Sequence, residues 1–214
     1  MPATRGRYGG VDAAERVAAR RARLIGAALQ LLGTGGSSAT TVRAICAHAK
    51  LTPRYFYESF KDLDAILLAV FDEIAAEGAG AVLIAVGAAE PDARAKSRAA
   101  IGAFIELLTD DPRKARVLFI EAMGSEPLAR RRFETVRMFA GLVAAQARSF
   151  YGVPNEADPL VELTALMLAG GLAEALLAWL DGTLHVTREQ LIEDCTDLFV
   201  SGGETAVRLV NARR

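Results

Sequence analysis

The run Thr52-Pro53-Arg54-Tyr55-Phe56-Tyr57-Glu58-Ser59-Phe60 sets an arginine, two tyrosines and two hydroxyls around a pair of phenylalanines four residues apart. On a helix the two phenylalanines share one face and anchor inward, which turns Arg54, Tyr55, Glu58 and Ser59 outward. A slim helix showing arginine and tyrosine is suited to hydrogen bonding with base edges in a major groove, if its apolar face is held by a supporting helix. Thr41 and Thr52, each at the start of a helix, place a hydroxyl, backbone N–H groups and the positive dipole end where a phosphate binds.

Other chemistry finds little material. Cys46 and His48 are two apart on a helix and do not face each other, and His185 has no nearby partner, so no metal site is expected. No glycine-rich phosphate loop, nucleophile elbow, paired helix histidines or clustered acids stand in the sequence. Two histidines leave little for the commonest acid–base catalysis. Neither an enzyme nor a bound cofactor is expected.

Charge points the same way. The 214 residues carry a formal net charge of −1, unevenly spread. Residues 1–61 hold ten basic and three acidic residues, a net of +7, leaving −8 for the remainder. A cationic head on an acidic body is the pattern of a polyanion binder. Two cysteines exclude a disulfide framework. Residues 1–10 hold no apolar signal core, and the charge-flanked apolar stretch 78–89 falls short of the roughly 20 residues that span a bilayer. The cytoplasm, with no membrane partner, is the expected setting.

The elements that must position these residues are all helical, with no convincing strand alternation. Residues 13–32 form a first helix with Leu24, Ile25, Ala28, Leu31 and Leu32 inward, stopped by the glycine-rich run 33–38. Thr40 and Thr41 cap a second at 42–49, with Val42, Ile45 and Ala49 toward the core; Thr52 caps a third that Pro53 opens. A fourth runs from 63 to about 81, with 78–89 open to reading as a lone strand. Further helices are expected at 92–109, 112–123, 126–151, 160–184 and 187–210, the last loosened at Gly202-Gly203. Residues 154–159 read as a linker, and Arg130-Arg131-Arg132 as a solvated face.

Two short helices joined by a tight turn match a helix-turn-helix. The string Arg23-Leu24-Ile25-Gly26-Ala27-Ala28-Leu29-Gln30-Leu31-Leu32, then Ala39-Thr40-Thr41-Val42-Arg43-Ala44-Ile45, then Tyr57 and Phe60 before 63–67, resembles the DNA-binding domain of the TetR family. The resemblance covers roughly residues 20–71. It implies an all-α chain: an N-terminal three-helix helix-turn-helix domain at 13–62, after a disordered basic arm at 1–12, and a helical ligand-binding and dimerisation domain at 63–214. It further implies phosphate contacts from Thr41, Thr52 and Tyr57, a groove or backbone contact from Arg43, and base reading by Arg54 and Tyr55. Two positions depart from the family pattern. Lys50 stands where a turn glycine is usual, at a cost of about 1 kcal/mol if its φ is positive. Leu63 replaces a customary lysine, a role that Lys61 can take over.

A DNA-binding dimer holds its heads about 34–36 Å apart, so the body is expected to dimerise. Leu163, Leu166, Gly170, Ala173, Leu177 and Leu180 form one stripe, and Leu191, Cys195, Leu198 and Phe199 begin another; two helices per subunit would make a four-helix bundle. Phe104, Phe119, Met123, Phe139 and Trp179 are candidates to line a pocket for an unidentified apolar effector, since methionine and aromatics suit such ligands. The resulting expectation is a repressor released from a palindromic double-stranded operator when ligand pivots the 63–81 helix. The alternative is a helical ligand-binding or interaction protein that no longer binds DNA.

Overall fold

A computed structural model describes residues 13–152 and 159–213. The basic arm at 1–12 and nearly all of the 154–159 linker lie outside the described residues. Among these residues there are helices and no strand. The order is α1 (Ala13–Ala39), α2 (Val42–Ala49), α3 (Pro53–Ser59), α4 (Leu63–Ala88), α5 (Ala93–Asp110), α6 (Pro112–Ala115), α7 (Glu126–Tyr151), α8 (Leu160–Leu180) and α9 (Arg188–Ala212). A π turn, Arg116–Ile120, and a 3₁₀ turn, Glu121–Met123, carry α6 toward α7. The chain divides into two compact units, one ending at Val70 and the other beginning at Phe71.

In the N-terminal unit, α1 packs on α2 and α3, and Leu24, Ile25, Ala28 and Leu32 of α1, Ile45, Cys46 and Ala49 of α2, Phe56 and Phe60, and Ile66, Leu67 and Val70 are all buried. Leu31 and Val42, expected in this core, are only half-buried. Helix α1 continues past Gly33 and breaks at Gly36, whose φ of 72° suits a residue without a Cβ. The buried Thr40 hydroxyl donates to the Gly36 carbonyl at 2.8 Å, fastening the break.

In the C-terminal unit, α7 packs on α8, α8 on α9, and α9 on α5. The α7–α8–α9 seam is built from small residues: Ala140 and Ala144 sit with Val161, Ala165, Ala169 and Val210, which lets the axes approach closely. On the α5–α9 side, Arg94 pairs with Glu193 (2.6 Å) and Asp197, and Arg98 with Glu189 and Glu193. Asp92 caps α5, and Thr187 with Gln190 forms a reciprocal capping box on α9.

Several expectations change here. The 78–89 stretch is the end of α4, because its alanines favour helix and no neighbouring strand exists to pair with it. Helix α8 ends at Leu180, where the Asp181 carboxylate accepts from the Thr183 N–H and hydroxyl. Gly202 does not loosen α9. A Cβ there would lie 3.3 Å from Leu168, so the glycine serves the close passage of α8. Of the run 130–132, Arg130 is solvated as expected, but Arg131 lies 3.1 Å from Asp72 and Arg132 is largely buried against Glu174. The stretch 78–89 also does not set the limit of apolar length, since α8 is long and apolar enough to cross a membrane. Its two carboxylates, Glu162 and Glu174, pair with Arg148 and Arg132 of α7, as suits a helix packed within a bundle.

Candidate nucleic-acid interface and effector cavity

The turn between α2 and α3 is fixed from both sides. Thr41 caps α2, its hydroxyl accepting from the Ala44 N–H at 3.2 Å. Lys50 ends α2 in the left-handed conformation, φ 52° and ψ 45°, so the non-glycine residue does stand at positive φ. Its N–H donates to the Ala47 carbonyl, and the Leu51 N–H to that of Cys46. Arg23 of α1 reaches across to donate to the Ala49 carbonyl at 2.5 Å, satisfying a carbonyl that the helix end leaves open. Thr52 stands at the start of α3, but its hydroxyl makes no capping bond, which corrects the expectation that it caps through its side chain.

Helix α3 is held by Phe56, which is fully buried, and Phe60; their ring centroids lie 5.9 Å apart. Thr41, Arg43, Thr52, Arg54, Tyr55, Tyr57 and Lys61 are all exposed. Tyr57 meets Phe56 edge-on at 5.3 Å, which fixes its ring while leaving most of it in solvent. Two residues outside the expected set organise this surface. Glu58 accepts from Arg54 Nε at 3.0 Å, and Arg20 of α1 lies over the Tyr55 ring at 4.6 Å and 4.0 Å from Glu58. The four-residue spacing of Arg54 and Glu58 was a usable signal for the first contact. The second is tertiary, and nothing local encodes it. Lys61 sits 3.6 Å from Asp62, whose carboxylate also accepts from the Ala65 N–H at the start of α4.

Two adjoining, largely apolar cavities lie among the helices of the C-terminal unit. The larger, about 370 Å³, is lined by α4, α5, α7, α8 and α9; the smaller is about 120 Å³. Val82, Ala100, Ile101, Phe139, Val143 and Phe199 form walls of both, so the two spaces abut. Of the five residues expected to line a pocket, Phe104, Phe119 and Phe139 converge on the smaller cavity, with Phe104 and Phe139 centroids 5.5 Å apart. The π turn delivers Leu118 and Phe119 to it as consecutive residues. Met123 is 65% exposed at the end of the 3₁₀ turn and lines neither cavity. Trp179 lines neither as well; its indole N–H donates to the Val186 carbonyl at 3.0 Å, a loop-fastening contact. The missed lining includes many alanines and valines, whose types carry no ligand signal, but also Phe150, Tyr151 and Phe199, aromatics that the sequence reading passed over.

Outside the cavities, Leu163, Leu166 and Met167 of α8 and Leu198 and Leu209 of α9 are exposed. Leu191 and Cys195, placed by sequence in the same stripe, are buried within the chain because α9 turns that face to α5. Burial raises the Cys46 and Cys195 thiols above their ordinary range. No group of metal-ligating side chains occurs among the described residues.

Two helices in this geometry, with arginine and tyrosines displayed on the second, define a helix-turn-helix DNA-binding domain. Residues 24–70 match the family model described as bacterial regulatory proteins, tetR family. The match gives the chain the DNA-binding domain of tetR-family regulators at its N-terminus. The whole fold is shared with solved structures of low identity. A chain described as a transcriptional regulator from Pseudomonas aeruginosa PAO1 superposes with a TM-score of 0.72 at 21% identity, over 90% of this chain and 94% of that one. The fatty acid degradation regulator FadR of Bacillus halodurans gives 0.69 at 20%, over 84% and 94%. FadR of Bacillus subtilis, solved in complex with stearoyl-CoA, gives 0.67 at 20%, over 85% and 98%. A search of curated proteins by sequence finds no match.

Proposed function

We propose that this protein is a cytoplasmic homodimeric repressor that holds a palindromic operator through α3 and releases it when an acyl-chain ligand fills the C-terminal unit. Arg54 and Tyr55 read base edges, while Thr41, Arg43, Thr52, Tyr57 and Lys61 contact phosphates. Phe104, Phe119 and Phe139 contact the ligand; Met123 and Trp179 do not. The exposed leucines of α8 and α9 bury one another across a two-fold axis, as suits a family whose members act as dimers. No catalytic step is part of this function.

The observation that carries the reading is the exposure of Arg54, Tyr55 and Tyr57 on a helix whose other face is sealed by Phe56. The ligand class is supported by the largely apolar cavities, the larger of which, at about 370 Å³, falls within the roughly 300–1,000 Å³ of small-molecule sites. The stearoyl-CoA in a FadR of the same fold supports an acyl chain. Helix α4 contributes Ile66 and Leu67 to the core of the N-terminal unit and Val82 and Val86 to the larger cavity's wall. A ligand favouring one state of that helix shifts the DNA-binding equilibrium.

Selection of bound sequences from random DNA tests the first half. A palindrome with half-sites about one helical turn apart is expected; no enrichment at modest ionic strength removes the DNA-binding reading. A shift assay on the selected site with dodecanoate and dodecanoyl-CoA tests the second. Release supports it, and tightening or indifference removes it.

A further inference from the structure

The larger cavity is mostly apolar, with Ser97, Gln146, Tyr151 and Thr164 as its neutral polar lining and one charged residue among the described residues. Among the described residues, Lys96, half-buried on α5, is the only ionisable side chain there besides the Tyr151 phenol, whose ionisation burial opposes. Its neighbours along α5 explain why it stands apart. Arg94 and Arg98, four residues apart, share the face that meets the acids of α9. Lys96 is two residues from each, hence on the opposite side of the helix, in line with Ala93, Ser97, Ala100 and Ile101, which also line the cavity. Among the described residues the Lys96 ammonium has no carboxylate partner. By contrast Arg132, the cation lining the smaller cavity, is already paired with Glu174.

A half-buried ammonium beside an apolar space, with no counter-charge, favours a ligand that supplies one. Exposed Leu83 and Phe150 in the same lining show that the cavity reaches the surface, so a head group can enter attached to a chain. We infer that Lys96 is the specificity-determining residue for the effector's anionic head, making the ligand an amphiphile with a negative group rather than a neutral lipid. This rests on the acyl-chain reading above. Two sources offer the same chemistry: the carboxylate of a free fatty acid and the phosphates of an acyl-CoA.

The test uses the full chain and three probes of one chain length: dodecanoate, dodecanoyl-CoA and dodecanol, measured by displacement of a fluorescent fatty-acid analogue. The variants are Lys96→Met, which keeps an unbranched stem and removes the charge, and Lys96→Arg, which keeps the positive charge on a longer side chain. The wild type is expected to bind at least one anionic probe more tightly than dodecanol. Lys96→Met loses about tenfold for that probe and leaves dodecanol unchanged, while Lys96→Arg stays within about threefold of wild type. Which anion shows the loss identifies the source. Equal binding of all three probes, unaffected by either variant, overturns the role of Lys96 and leaves the acyl-chain reading standing. An equal loss for dodecanol in Lys96→Met overturns it too, by assigning Lys96 to packing. Failure of every probe to bind the wild type overturns both.

Discussion

Arg54 Nε donates to Glu58 Oε1 across 3.0 Å, one turn further along α3. An exposed pair at this spacing stabilises a helix by only about 0.3–0.5 kcal/mol, so its consequence is orientation of the guanidinium and local charge balance. Replacing Glu58 with Ala leaves α3 one unit more positive and frees Arg54. Affinity for random DNA is expected to rise and the ratio of selected site to random sequence to fall, read by competition shift assays. Arg54→Ala is expected to relax sequence preference at one base position, by about 1–3 kcal/mol. Equal losses on selected and random DNA would remove Arg54 from base readout.

Lys61 serves a different purpose. It is 83% exposed in its side chain, and its 3.6 Å approach to Asp62 is a weak surface pair that does not consume the charge. Lys61→Ala is expected to weaken binding to all sequences alike and to reduce the slope of log affinity against log salt by about 1. An unchanged slope would mean that Lys61 touches no phosphate.

Lys50 holds the turn at a backbone conformation that costs a residue with a Cβ about 1 kcal/mol. Lys50→Gly is expected to raise the unfolding midpoint, with Lys50→Ala giving no such gain, since alanine keeps the Cβ. Denaturant unfolding followed by circular dichroism distinguishes the two. A gain for both would place the effect in the lysine side chain rather than in φ.

The head was legible because its signals are local. Phe56 and Phe60 four apart, Thr41 before α2 and Pro53 at the first turn of α3 each act within one turn of helix, so sequence spacing alone reveals them. The body was legible only as helices. Whether Leu191 faces a partner or α5, and whether Arg132 faces water or Glu174, depends on how α7, α8 and α9 pack, and a period of 3.6 is the same in either case. The cavity was partly legible for a related reason. Phe104, Phe119 and Phe139 are conspicuous by size, but Lys96 and the alanines around it acquire meaning only when α5 is placed beside α7 and α9.

Asp111 gives the clearest pH signature. Hydrogen bonds from the Arg113 guanidinium hold its carboxyl below the usual carboxylate range, outweighing burial, which acts in the opposite direction. A folded-state pKa below the unfolded one contributes stability that is present above about pH 4 and is lost as pH falls through the folded value. Asp111→Asn preserves the cap on α6 and removes the charge, so the variant is expected to be less stable than wild type at pH 7 by under about 1 kcal/mol. The gap should close toward pH 3. Urea unfolding at both pH values checks this, and a gap independent of pH would show that the contact acts as a neutral hydrogen bond.

The exposed apolar side chains of α8 and α9 set up the last expectation. Met167 is 68% and Leu198 65% exposed, and Leu163 and Leu166 stand beside Met167 on α8. Aliphatic side chains grouped this densely on two adjacent helices mark an interface more often than a free surface. If a second copy covers them, a charge at the centre of the patch must be desolvated without a partner, at a cost of several kcal/mol. Met167→Glu is therefore expected to shift the protein from dimer to monomer at micromolar concentration in sedimentation velocity. The fold of each subunit should be kept, because residue 167 touches water in the isolated chain. The monomer should then bind a single half-site with a shallower concentration dependence than the wild type shows on the full palindrome. A variant that remained dimeric and bound normally would place the subunit contact on another face.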